Sequence, residues 1–295
     1  MSGARAQILL WIAGAVGAAI AGCGGGDGAA AGLDAGPDTD ADTDTDTATV
    51  DDGPCDVLFG APNENTGLTA DQCVPWCGCE DLVFEPPDYS EAEIAALAAL
   101  ALAEPFPALV ADPYAEPELH VPVPGTWCGA HLETDGPGTY RLETYASLEA
   151  LEADGAKFTH KDACGVCSPF VDLAVYMRTP DLTELVRECA LEGMTSGEAA
   201  HLECLQALGF DGPCAQIWYY NTKNTQAACL EECMAALDEP YHEADGGLNA
   251  CMACDEASSG EVFKAVAGRT RRNTGLPTTM CRPCSEVVPI VHDYL

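Results

Sequence analysis

Apolar residues recur at intervals of three and four over much of the second half of the chain, as in Leu182, Leu185 and Val186. This spacing places apolar side chains on one face of an α-helix. Residues that favour helix starts come shortly before these runs: Thr179 with Pro180, Thr195 with Glu198, Asn224 or Thr225, and Ser258 with Glu261. The pattern predicts several short helices beyond residue 178.

Fewer elements are predicted in the first half. The stretch 90–103 begins with a capping box and has apolar residues at helical spacing, so it predicts a helix. Residues 139–145 alternate as a strand does, and residues 147–153 predict a short helix. The proline-rich stretch 104–124 has no amphipathic period, which indicates an extended strap packed against the C-terminal part.

The N-terminus carries an uncharged apolar run, from Ile8 to Ile20, after a single cation, Arg5. It is shorter than the roughly 20 residues that a membrane-spanning helix needs, so it predicts a secretory signal. The segment Ile20-Ala21-Gly22-Cys23 resembles the lipobox of bacterial lipoproteins. The resemblance implies cleavage before Cys23 and lipid attachment to that cysteine. A plain secretory signal ending near a cysteine is the alternative.

Acidic residues dominate the chain, with 48 Asp and Glu against 12 Lys and Arg and a formal net charge of −36. Such a charge repels nucleic acid and anionic lipid head groups, so we expect no nucleic-acid partner. Residues 23–54 follow the signal and are rich in Gly, Ala, Asp and Thr. They have too little apolar surface to fold, which predicts a disordered acidic tether.

The chain has 17 cysteines, and assigning Cys23 to lipid leaves 16, which can pair completely. In an exported protein these cysteines predict disulfides, whereas zinc is disfavoured because no second histidine follows at ligand spacing. Four cysteines lie close together and predict two internal disulfides: Cys55, Cys73, Cys77 and Cys79. The other twelve fall after residue 124.

Five segments follow from these patterns. They are a signal peptide (1–22), a lipidated cysteine with its tether (23–54), a four-cysteine module (55–85), a helix with the strap (86–124) and a twelve-cysteine domain (125–295). The expected fold class is mainly α, small and disulfide-rich. It has short helices cross-linked by disulfides, little strand and a disordered N-terminal tether.

Few residues suggest chemistry. The chain has no metalloprotease, serine-hydrolase or phosphate-loop motif, so we expect no catalytic, cofactor or metal residues. The segment Cys164-Gly-Val-Cys167 resembles redox C-x-x-C motifs, which leaves thiol-disulfide exchange as an alternative. Glycan-directed hydrolysis is a second enzymatic alternative, without assigned residues.

A group of cations interrupts the acidic composition: Lys264, Arg269, Arg271 and Arg272, followed by Arg282, with no acid between Glu261 and Glu286. Arginine guanidinium groups suit carboxylate, phosphate or sulfate, so the first four are a candidate anion-binding patch. Pairing with the chain's own carboxylates is the alternative. The aromatic run 218–220 suggests either core packing or a sugar platform.

Residues 160–295 are similar to an uncharacterised cysteine-rich extracellular family, through HKDACGVCSPFVDLAVYM, CAQIWYYNT and FKAVAGRTRR. That family implies no activity. We therefore expect a lipoprotein anchored at the outer membrane or cell surface that acts as a binding or structural module. Its expected partners are the membrane, through Cys23, and an anionic glycan or another envelope protein.

Overall fold

The computed structural model describes residues 57–79, 82–133 and 138–295. The expected signal peptide, the lipidation site at Cys23 and the acidic tether lie outside the described residues. Among the helices that are described, none is long and apolar enough to cross a membrane.

Helices account for 43% of the described residues and strands for 14%, which confirms a mainly α, disulfide-rich fold. The seven described helices are α1 (Glu91–Ala98), α2 (Leu148–Ala153), α3 (Phe170–Arg178), α4 (Leu182–Ser196), α5 (Glu198–Ala207), α6 (Gly212–Ala235) and α7 (Ala250–Ala267). The longest two, α6 and α7, pack side by side.

The described residues contain nine short strands, which form three small sheets. The strands are β1 (Leu58–Phe59), β2 (Cys73–Val74), β3 (Cys77–Cys79), β4 (Leu82–Phe84), β5 (Ala101–Leu102), β6 (Trp127–Leu132), β7 (Thr139–Tyr145), β8 (Lys157–Lys161) and β9 (Arg282–Pro283). The largest sheet has the order β5-β7-β6-β8, and β1 joins β2 to β9 in another. The predicted strand 139–145 is confirmed as β7, and the helix predicted after it is confirmed as α2, capped by Ser147.

The predicted helix 90–103 is too long. Its capping box between Ser90 and Glu93 is present, but α1 ends at Ala98. Beyond it, the backbone N–H of Ala101 donates to Gly138 O, and that of Ala103 donates to Tyr140 O. Pairing with β7 therefore takes over the end of the segment, a long-range contact that local periodicity does not report.

None of the four helix starts predicted in the second half is the N-cap of a described helix. The true caps of α4, α6 and α7 are Asp181, Asp211 and Asn249, whose side chains each accept a backbone N–H, and Gly197 precedes α5. Thr225 and Ser258 lie inside helices, and the Ser258 hydroxyl donates to the Cys254 carbonyl one turn back. This back-bonding satisfies a helix-interior hydroxyl, so a Ser or Thr is an ambiguous start signal.

The main core forms around α3, where Phe170 and Leu173 are fully buried. Tyr140 stacks on one side of Phe170 with ring centroids 4.0 Å apart, and Tyr294 stacks on the other at 4.5 Å. The strap packs on this core as predicted, through Phe106 and other apolar side chains. The last residues of the chain are therefore part of the core.

Arg269 is fully buried beside this aromatic stack. Its guanidinium donates to the carbonyl oxygens of Thr159 and Ser168, at 3.2 and 3.0 Å. Burial lowers the pKa of Arg269, and it lowers the pKa of the neighbouring His292 to about 3, so that the imidazole stays neutral. Arg269 therefore joins β8 to the start of α3 and is part of the core.

Seven disulfides are described: Cys73–Cys281, Cys77–Cys284, Cys128–Cys164, Cys167–Cys214, Cys189–Cys204, Cys229–Cys254 and Cys233–Cys251. The first two, here called the terminal disulfide pair, connect the four-cysteine segment to the C-terminal region. The predicted internal pairing of that segment is therefore wrong for Cys73 and Cys77. An even number of neighbouring cysteines did not define a closed unit, because β9 pairs with β1 and the cysteines on either side of β9, Cys281 and Cys284, bond to Cys73 and Cys77.

The contributions of the two bonds of the terminal disulfide pair to the free energy of unfolding should be strongly coupled to each other. If Cys73 and Cys281 are replaced by Ser, Cys77–Cys284 still closes almost the same loop, so the loss should be only about 2 kcal/mol. Removing both bonds opens a loop of more than 200 residues, and the loss should exceed the sum of the two single losses. Denaturant unfolding of the four proteins measures this coupling, and additive losses would contradict it.

Arg269 should matter for folding, in contrast to Arg272. Arg269→Met leaves two buried carbonyls without their donor and should lower the free energy of unfolding by roughly 3 kcal/mol. Arg272→Met removes only partly exposed ion pairs to Glu256 and Glu286 and should cost less than about 1 kcal/mol. Urea unfolding followed by circular dichroism compares the two, and equal losses would refute the structural role of Arg269.

Candidate functional site

A cleft runs along α6, between α4 on one side and α7 on the other; we call it the α6 cleft. Two disulfides, Cys229–Cys254 and Cys233–Cys251, join α6 to α7 near the C-terminal end of α6. At its other end Trp218 packs edge-on against Phe263 of α7, with ring centroids 4.8 Å apart. These contacts at both ends fix the two helices relative to each other.

The larger part of the α6 cleft is an apolar chamber of about 190 Å³. Its apolar lining comes from three helices and the segment after α6: Val186, Ala190, Leu230, Met234, Leu237 and Met252. Leu230 is exposed, and Met234 and Met252 are only half-buried. Flexible methionines adapt to ligands of different shape, so this lining is typical of a binding surface.

Asp255 lies at the inner end of the chamber and is mostly shielded from solvent. Its Oδ1 accepts hydrogen bonds from the Thr225 hydroxyl and from Asn221 Nδ2, the latter at 3.3 Å. Burial raises the pKa of the Asp255 carboxyl, whereas the Thr225 hydroxyl and the Arg271 guanidinium act in the opposite direction. The carboxyl thus belongs to a side-chain network that spans α6 and α7.

The strap also forms hydrogen bonds with side chains of α6. The Tyr114 hydroxyl donates to Asn221 Oδ1 at 2.8 Å, and the backbone N–H of Leu109 donates to Gln216 Oε1 at 2.7 Å. Because Oδ1 of Asn221 faces Tyr114, its amide nitrogen is directed to Asp255. The strap therefore fixes the amide orientation at the floor of the α6 cleft.

Arg271 lies where the chamber meets a second, smaller cavity of about 90 Å³. Its Nη1 donates to the Thr183 hydroxyl of α4 at 2.5 Å. Lys264 and Arg272, which line the smaller cavity, are ion-paired with Glu256 at 2.9 and 3.5 Å. Arg271 makes no ion pair with any described carboxylate, in contrast to these neighbours.

The predicted anion-binding patch is therefore corrected. Arg269 is buried in the core and cannot contribute to it, and α7 ends at Ala267, so Arg269 and Arg272 share no helical face. Lys264 and Arg272 pair with the chain's own acids, which was the alternative. Of the four predicted residues, Arg271 alone lines a cavity without an ion pair to a described carboxylate.

The aromatic run 218–220 is mainly a core feature. Trp218 and Tyr219 are less than a tenth exposed, and Trp218 packs between Phe210 and Phe263. The Tyr219 hydroxyl donates to Glu198 at 3.0 Å. Trp218 also lines both cavities of the α6 cleft. Its ring is therefore not part of an exposed platform for a sugar.

The two cysteines of the C-x-x-C segment bond to different partners. Cys164 is joined to Cys128 of β6, and Cys167 is joined to Cys214 in the first turn of α6. Exchange chemistry in a C-x-x-C motif uses a disulfide between its own two cysteines. The redox hypothesis for Cys164 and Cys167 therefore loses its geometric basis, and both bonds join secondary-structure elements.

One cluster of metal-ligating side chains occurs among the described residues: His131, Glu143 and Asp154, with ligand atoms within 4.8 Å of one another. The Tyr145 hydroxyl donates to Asp154 Oδ2 at 2.6 Å, and His131 Nε2 lies 2.9 Å from the same oxygen. Glu143 is paired with Arg141 at 2.6 Å. The cluster is thus satisfied by its own hydrogen bonds and an adjacent cation.

Sequence reasoning found Arg271 but missed Asp255 and Thr183. Asp255 follows Cys251 by four residues, so it lies on the disulfide-bearing face of α7, and Thr225 precedes Cys229 by four residues on α6. A carboxylate one turn from a helix-joining cysteine was a usable signal. Thr183 had none, because α4 is placed against the loop after α7 only in the folded chain.

No curated protein and no solved structure matches the chain. The predicted similarity of residues 160–295 to an uncharacterised family is supported over a shorter span, residues 198–290. That span contains α5, α6, α7 and the loop with Arg271, and hence most of the walls of the α6 cleft. Residues 198–290 match the model of a family of unknown function, DUF8771.

Proposed function

We propose that this protein is an exported, lipid-anchored binding module that takes up a small ligand in the α6 cleft. The observation that carries the proposal is the apolar chamber, open to solvent and fixed by two disulfides between α6 and α7. A concave apolar site with a few polar groups at one end is typical of small-molecule binding. The helices need little ordering on binding, which favours affinity.

The extensive disulfides suggest an extracellular or exported protein. The lipobox-like segment ending at Cys23 supports anchoring at the outer membrane or cell surface. Three acyl chains at that cysteine exceed the two anchoring signals that stable membrane attachment needs. The acidic tether would then hold the folded part away from the membrane surface.

Anchoring is tested by metabolic labelling with an alkyne fatty acid in a bacterium that processes lipoproteins. The wild-type chain should incorporate the label and fractionate with membranes, and Cys23→Ser should do neither, because only that cysteine would carry lipid. The double variant Cys189→Ser/Cys204→Ser, which removes a described disulfide, is the control and should keep the label. Label that persists in Cys23→Ser would refute the anchor.

Binding in the α6 cleft is tested with a neutral, environment-sensitive fluorescent dye. The dye should bind at one site with a blue-shifted emission. Ala190→Trp should abolish this signal, because the indole fills the chamber that Ala190 lines. The matched control Ala257→Trp places an indole on the exposed face of α7 and should bind as wild type does. If the dye binds both tryptophan variants equally well, the α6 cleft is not its binding site.

A further inference from the structure

The charge inside the α6 cleft is opposite to that of the whole protein. Four cationic and two acidic side chains line the smaller cavity: Lys264, Arg271, Arg272 and Arg282 against Asp255 and Glu256. The larger chamber has Arg187 and Arg271 against Asp255 alone. In a chain of formal net charge −36, both cavities are locally cationic. An anion is therefore attracted at this place although the surface as a whole repels it.

The cations differ in how far their charge is already compensated. Arg187 is ion-paired with Glu184 at 3.4 Å and lies over the Tyr241 ring. Buried Arg282 donates to the carbonyls of Arg271 and Leu276. For Arg271, the hydrogen bond to Thr183 is the only one that its guanidinium makes with described residues. A guanidinium carries five N–H donors, so most of those on Arg271 remain available to a ligand.

Asp255 does not make the site suitable for a cation. Its Oδ1 already accepts from Thr225 and Asn221. The same burial that shields it raises its pKa. Asp255 is the one acidic side chain that lines the larger chamber, against Arg187 and Arg271, so the charge of the lining is positive.

The chamber also limits the body of the ligand. Its volume of about 190 Å³ lies below the roughly 300–1,000 Å³ of sites for drug-sized molecules. Most of the wall surface that the chamber exposes is apolar, so a polar body would lose hydration and gain few partners. A short apolar chain or single ring fits, with its polar group directed to Arg271.

Taking the binding module of the preceding section as given, we infer that the α6 cleft binds a small amphiphile with an apolar body and one carboxylate head. The body occupies the chamber between α4, α6 and α7. The carboxylate accepts N–H groups of the Arg271 guanidinium, in the planar paired geometry that arginine and carboxylate share. Arg271 is thus the residue that selects the head group, and Thr183 positions it.

Competition against the neutral dye tests this inference with three ligands of equal chain length: octanoate, octanol and octylammonium, each below its micelle concentration. On the full-length oxidised protein, octanoate should displace the dye at a concentration at least tenfold lower than either of the others. Ala190→Trp should bind none of them when each is titrated directly by isothermal titration calorimetry, a measurement that needs no dye.

Arginine variants separate the head-group contact from general charge. Arg271→Met should weaken octanoate at least tenfold and leave octanol unchanged, and Arg271→Lys should restore part of the loss because the charge remains. Arg178→Met is the control, since Arg178 lies outside the cleft and pairs with Glu91; octanoate should bind it as it binds wild type. Retained disulfides and circular dichroism confirm that each variant folds.

The outcomes distinguish the two proposals. Equal displacement by octanoate and octanol on the wild type, with no calorimetric binding of either to Ala190→Trp, would overturn the carboxylate inference and leave the binding module standing. An unchanged octanoate affinity in Arg271→Met would likewise overturn it. A dye that binds wild type and Ala190→Trp equally would overturn the module, and the inference with it.

Discussion

Covalent closure of the chain is the constraint on which the rest of this structure depends. The terminal disulfide pair joins residues more than 200 positions apart, and β1 pairs with β9 at the same place. The last residue but one, Tyr294, is stacked in the main core. The beginning and the end of the described chain are therefore parts of one unit, and neither forms a module of its own.

The same constraint explains how a chain with short helices can hold an open cleft. An apolar chamber exposed to water tends to collapse unless its walls are held apart. Here α6 and α7 are bonded to each other twice, and the strap reaches Asn221 from the other side through Tyr114. The walls are thus fixed by contacts that do not depend on filling the chamber.

Positive charge is used in two different ways in the same short segment. Arg269 and Arg282 are buried and donate to backbone carbonyls, so they fix the backbone segments around them. Arg271 and Arg272 reach the cleft and its rim. The backbone after α7 causes this division, because Gly268, with a φ of +71°, ends the helix and approaches the backbone around Gly165 closely. A side chain at residue 268 would collide with that backbone, and the turn that sends Arg269 inward would be lost.

The sequence by itself determined the fold class, the strand 139–145, the helix after it and the presence of many disulfides, because these follow from local periodicity and composition. It also identified the cationic segment that contains Arg271. Tertiary structure alone decided which cysteines pair, which arginine is buried and where Thr183 meets Arg271. The physical reason is that these outcomes depend on distance in space. Residues such as Cys73 and Cys281 become neighbours only when β1 pairs with β9, and residue spacing along the chain does not predict that pairing.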